Sequence, residues 1–238
     1  MINKIVKTAA DAVADIFDGA TVLISGFGEA GSPVELIHAL VDRGTKNLTV
    51  VSNNAGSGHV GLAALIENRQ VDKIICSFPR TMISVVFPEL YRKGEIELEL
   101  VPQGTLAERI RAGGSGIPAF FTPTTVGTPL AEGKEIRTFK GRKFLLEEAI
   151  TADFALVKCH AADRYGNLIY NKTARNFGPI MCMAAKTTIV QTRKIVEPGE
   201  LDPESIITPG IFVHRVVEIA SPMDESKLVA EERRYPWK

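Results

Sequence analysis

The sequence lacks the features that would announce a partner by charge. Its 28 basic and 28 acidic residues cancel, and no basic tract stands out. That excludes the electrostatic footprint of a nucleic-acid binder or of a protein held on anionic lipid. No apolar run reaches the ~18 residues of a membrane span. The start, Met1-Ile-Asn-Lys-Ile-Val-Lys7, has no apolar leader core. A cytoplasmic protein is the expectation. Only three cysteines occur, Cys76, Cys159 and Cys182, odd in number and far apart. They exclude a disulfide frame and read as small buried hydrophobes in a reducing compartment. Neither C-x-x-C nor H-E-x-x-H is present, and His38, His59, His160 and His214 are scattered, so structural histidines are expected rather than a metal site.

What is there is a chain of 238 residues, 45% hydrophobic, long enough for one large α/β core. Apolar spacing predicts helices over 4–17, 33–43, 60–68 and 82–93. Between them, strands are predicted at Thr21–Ser25, Leu48–Ser52, Lys73–Ser77 and Ile96–Val101. The last alternates as Ile-Glu-Leu-Glu-Leu-Val, the pattern of a half-buried strand near an edge. Repeated strand–helix units imply a mostly parallel sheet with helices on both faces. The second half is richer in β. A loop excursion over 113–133 leads to a hairpin turning at Lys140-Gly141. Strands follow at 153–158, 187–191 and 212–219, with a short helix at 179–186. Residues 1–219 read as one domain. Residues 220–238 read as a charged tail, in which Tyr235-Pro-Trp237 is either an interface anchor or a frayed end.

Ligands of such sheets sit outside the carboxyl ends of the strands. Three loops leave those ends: 25–32, 52–59 and 102–104. In the first, Gly26, Gly28 and Gly31 spell G-x-G-x-x-G after an apolar strand. A dinucleotide site would also need an acid closing the next strand, and that strand ends in Ser52-Asn53-Asn54. Ser32 and Glu35 form a capping-box pattern that would occupy donors at the helix start. The glycines thus need explain no more than a sharp strand-to-helix turn. In the second loop, Asn53 and Asn54 place two amides at a crevice mouth or cap the next helix. In the third, Gln103 precedes a second capping-box pattern, Thr105 to Glu108. An amide there can donate to an oxygen that gains negative charge in acyl transfer. Arg164, Lys172 and Arg175 could hold a carboxylate or simply decorate a solvated turn.

The same segments carry a resemblance. Asp18-Gly19, an apolar strand, Ser25-Gly26-Phe27, Gly31 and Pro33 are similar to the signature of the A-type half of family I CoA-transferases, the succinyl-CoA:3-oxoacid type. Ser25 stands where that signature has glycine. Ser52-Asn-Asn-Ala-Gly56, Pro102-Gln-Gly-Thr-Leu-Ala-Glu-Arg-Ile-Arg111, Ala174-Arg-Asn-Phe177 and Val213-His-Arg-Val216 match as well. The likeness spans about residues 1–219. It implies a ping-pong transfer of CoA through an anhydride and a thioester on a glutamate. That glutamate belongs to the B-type half, in a Ser-Glu-Asn-Gly motif, and this chain has no such motif. The resemblance therefore implies half an active site, completed by a B subunit in an A2B2 assembly, with no metal or redox cofactor. It assigns Gln103 to the oxyanion region and Asn53 and Asn54 to the substrate cleft. Gly26, Phe27, Gly28 and Gly31 form the loop beside them. Cys76-Ser-Phe-Pro-Arg80 and the run 176–183 resemble the 3-oxoadipate branch more than the acetoacetate one. Arg80 is then the expected partner of a distal carboxylate, or else a structural or interface cation. The alternative from another class is a non-catalytic acyl-CoA-binding module, which a B-type chain restoring turnover would exclude.

Overall fold

A computed structural model describes residues 2–237. The first half runs β1 (Ile5–Val6), α1 (Ala9–Ala12), β2 (Thr21–Ile24), α2 (Val34–Arg43), β3 (Leu48–Val51), α3 (Gly61–Glu67), β4 (Val71–Cys76), α4 (Val86–Arg92), β5 (Glu97–Leu100) and α5 (Gln103–Gly114). There follow β6 (Ala119–Thr122), β7 (Ile136–Phe139), β8 (Arg142–Glu148), β9 (Ala152–Lys158), β10 (Ala161–Asp163) and β11 (Leu168–Ile169). The chain closes with α6 (Gly178–Ala184), β12 (Ala185–Thr192), β13 (Ile195–Val196), β14 (Arg215–Glu218) and α7 (Glu225–Ala230).

Eight strands form the main sheet in the order β1-β14-β12-β9-β2-β3-β4-β5. Every pairing in it is parallel. Side chains alternate between two cores, as a doubly covered sheet requires. Val22 and Ile24 of β2, Phe154 and Leu156 of β9 and Val217 of β14 face a core shared with α1 to α4. Leu23, Ala155, Val157 and Val216 face the other, under Leu106 and Ile110 of α5 and Met181 of α6. Each fully buried leucine or isoleucine stabilises this sandwich by about 1.5–3 kcal/mol. β5 is an edge strand, as its alternation implied. Chain order runs outward from β2 on one side and resumes with β9 on the other. The β2–β9 junction is therefore the switch point, where an open α/β sheet leaves a crevice.

Three expectations change. Residues 4–17 do not form one helix. Ile5 and Val6 pair with Val216 and Val217, and the Thr8 hydroxyl caps a single turn by accepting from Asp11 N at 3.0 Å. The strand partner lies over two hundred residues away, beyond any local pattern. Neither capping box forms. α2 starts at Pro33 and receives its cap from a distant amide, with Leu36 N donating to Gln191 Oε1 at 3.2 Å. α5 starts three residues earlier than a Thr105 cap implied, immediately after Pro102, so Gln103 is its first residue and Glu108 pairs with Arg111 instead. The charged terminus is also folded. Asp224 caps α7, and the Tyr235 ring stacks on His38 at 3.7 Å and donates its hydroxyl to Asp42 at 2.6 Å.

Candidate active site

The glycine loop leaves β2 at the switch point. Gly26 takes φ 133° and Gly28 φ 59°, so the chain reverses at once and Phe27 and Ala30 bond back to each other. Ser25 turns its hydroxyl into a clip. It donates to Gly31 O at 2.9 Å and accepts from Lys158 N at 3.3 Å, tying the loop to the end of β9. Asn176 supports the other side. Its Oδ1 accepts from Gly26 N at 3.2 Å and its Nδ2 donates to Ala30 O at 2.8 Å. A methyl on Gly31 would lie 2.5 Å from Ala174 O, so this position admits no side chain. The role of Asn176 is hidden in the sequence. Its only signal is the Ala-Arg-Asn-Phe run, which names no partner.

Beyond β3, the Asn53 carbonyl accepts from Ser77 N (3.2 Å) and Phe78 N (3.0 Å), joining this loop to the one after β4. Asn54 Oδ1 accepts from Gly56 N at 2.8 Å, and its Nδ2 reaches Gly28 O at 3.4 Å. Gln103, at the start of α5, donates through Nε2 to Asn53 Oδ1 at 2.9 Å. The carboxyl ends of β2, β3, β4 and β5 thus bring Phe27, Gly28, Asn53, Asn54 and Gln103 around one cleft of about 540 Å³, with Ser77, Phe78 and Thr81 completing the wall. Phe27 and Phe78 are half-exposed at its mouth. One Gln103 N–H and the Asn53 amide N–H groups have no partner within the described residues. Amide N–H groups of this kind can donate to an oxyanion.

The wall holds no acid, thiol or imidazole. Burial pushes the Cys76, Cys159 and Cys182 thiols up to about 12 each, which leaves them protonated and unreactive near neutral pH. Burial also holds His38 neutral, down at about 4, and its Nε2 accepts from Gly61 N at 3.0 Å. His214 accepts from Thr188 N at 3.0 Å and is likewise lowered by burial. Both histidines are structural. Gly26 and Gly31 shape the loop without lining the cleft. Arg80 does not line it either. It is exposed, with no ion-pair partner among the described residues, and lies in an adjoining hollow with Arg92 and Lys93. Its neighbour Thr81 is in the cleft wall. Arg164 is engaged elsewhere, paired with Glu197 at 2.9 Å and lying over the Tyr165 ring.

A family model for coenzyme A transferases matches residues 6–219. The chain is 61% identical over 220 residues to the A-type subunit of the 3-oxoadipate CoA-transferase of Pseudomonas putida, covering 92% of this chain and 95% of that protein. It is 58% identical over 221 residues to the protein of the same description from Acinetobacter baylyi, covering 93% and 97%. Among solved structures, the glutaconate coenzyme A-transferase of Acidaminococcus fermentans superposes with a TM-score of 0.80 at 20% identity, over 97% of this chain and 78% of that one. That likeness speaks to the fold.

Proposed function

The chain belongs to the coenzyme A transferase family, and on that premise we propose that it is the A-type half of an enzyme moving CoA from succinyl-CoA to a 3-oxo acid. 3-Oxoadipate is placed ahead of acetoacetate as acceptor, in keeping with the names of the two relatives above. One observation carries the reading: three convergent amides at the strand ends, in a wall that offers Ser77 and Thr81 hydroxyls but no carboxylate, thiol or imidazole to attack a thioester or to activate them. Such a cleft can stabilise a reaction that it cannot start. The attacking carboxylate has to come from a partner, which we take to be a B subunit in an A2B2 assembly.

In the first half-reaction, a partner glutamate oxygen attacks the thioester carbon of succinyl-CoA, and the C–S bond breaks to release CoA thiolate and leave a mixed anhydride. The thiolate attacks the glutamyl carbonyl, freeing succinate and giving a glutamyl–CoA thioester. The acceptor carboxylate repeats the two steps in reverse order, so no redox or metal cofactor enters. Each tetrahedral intermediate places negative charge on an oxygen, and the second N–H of Gln103, whose amide bonds Asn53, is the donor we assign to it. Arg80, in the hollow beside the cleft, is assigned the distal carboxylate of 3-oxoadipate, since a guanidinium recognises a carboxylate through two parallel bonds.

The test is turnover of succinyl-CoA with 3-oxoadipate by this chain alone and after co-expression with a B-type partner. Activity only in the complex is expected. Activity of the chain alone would overturn the reading. Arg80→Met should raise KM for 3-oxoadipate several-fold while leaving KM for acetoacetate in place, and an equal change in both removes Arg80 from specificity.

A further inference from the structure

Behind the cleft lies a feature that transferase chemistry does not use. Glu225, at the start of α7, is buried beneath the two loops that form the cleft floor. It lines a small hollow between Gly28, Glu29 and Ser32 of the glycine loop and Asn54 and Gly56 of the next loop. Its Oε2 is closed off from solvent and has no hydrogen-bond partner. Gly61, at φ 52°, leaves room for its Oε1 where any side chain would collide.

The rest of the segment follows the same two loops. Met223 N donates to Glu35 at 2.5 Å, beside the start of α2. Val229 packs over Gly58. Tyr235 N donates to His59 O at 3.0 Å, and the Tyr235 ring covers His38, which accepts from Gly61 N. We propose that residues 222–237 act as a strap that fixes the glycine loop and the Asn54 loop from behind, with Glu225 as its positioning residue, inserted as a neutral acid. As it bears on catalysis, the inference rests on the reading of the cleft given above.

The surroundings account for the neutral form. Burial pushes the carboxyl up to about 7. The Ser32 hydroxyl and Lys158 of β9 oppose that rise, while Glu29 of the glycine loop and Glu35 of α2 reinforce it. Asp224, beside it on the strap, and Arg193 and His160 line the outer pocket into which Glu225 also faces. In a released strap the carboxyl would titrate near its ordinary 4.5. Between about 4.5 and 7 the docked form therefore loses about tenfold in its equilibrium per pH unit, and above 7 the loss levels off.

The experiment is amide exchange on the A–B complex, comparing wild type with Glu225→Gln and Glu225→Ala at pH 5, 6, 7 and 8. Glu225→Gln keeps the shape of the neutral acid. The ratio of wild-type to Gln-variant protection at Leu228 and Tyr235 should fall about tenfold per unit from pH 5 to pH 7 and then flatten. Glu225→Ala should raise exchange across 26–32 and 52–58 by tenfold or more at every pH, and lower kcat in step. A flat ratio overturns the neutral-acid role. Unchanged loop protection in Glu225→Ala overturns the strap. Loosened loops in Glu225→Ala, alongside a wild-type complex that turns over no acyl-CoA, would keep the strap and defeat the transferase reading instead.

Discussion

At the scale of single residues, the site is a study in amides held by other amides. Gln103 spends one N–H on Asn53, and in the reading proposed above its other N–H is the oxyanion donor. Removing a preorganised donor of this kind costs about 10²–10³ in kcat. Gln103→Ala should show that loss in the A–B complex with little change in KM, measured by steady-state kinetics on succinyl-CoA. A large KM change with intact kcat would mean that Gln103 only binds ground-state substrate. The sequence singled out Gln103, Asn53 and Asn54 as amides at strand ends, where a turn or a helix cap explained them equally well, and the family resemblance gave them a site role. It could not point to Asn176 or Glu225. Asn176 serves a loop 150 positions away, and Glu225 sits in a charged stretch that looks solvated until the fold buries it.

At the scale of elements, the strand–helix alternation of the first half was legible because each unit has its own apolar period and, after α2 and α4, a glycine stop. Gly44, which ends α2 in the left-handed region at φ 75°, is one such stop. Long-range edges were illegible. β1 exists through β14, and the start of α2 is capped through Gln191 on β12. The glycine loop has the same dependence on a distant element. Gly31→Ala would set a methyl against Ala174 O at a backbone of φ 84°. Positive φ costs a non-glycine residue roughly 1–2 kcal/mol, and forcing extra volume into a packed place adds about 1–3. A loss of about 2–5 kcal/mol in denaturant unfolding is expected. A loss below about 1 kcal/mol would show that the 172–175 turn yields freely.

At the scale of the whole molecule, two buried groups titrate against each other. Glu225 is raised from 4.5 to about 7 by folding, so its contribution is full below pH 4.5 and is lost as pH rises through 7. His38 is lowered from 6.5 to about 4, so its contribution is full above pH 6.5 and is lost as pH falls through 4. Between pH 4.5 and 6.5 the two slopes cancel. Glu225→Gln leaves the histidine slope alone, and stability relative to wild type should climb by about 3 kcal/mol across that window, read from urea midpoints. An unchanged difference would mean that Glu225 is ionised throughout. The sheet that joins these parts also joins the two halves of the chain in time. Ile5 has its partner at Val216, so β1 cannot be seated until β14 has been made. At about 5–20 residues per second of synthesis, that is an interval of roughly 10–40 s on the ribosome. A strand only two residues long, flanked by Lys4 and Lys7, offers little edge for another nascent chain to add to while it waits.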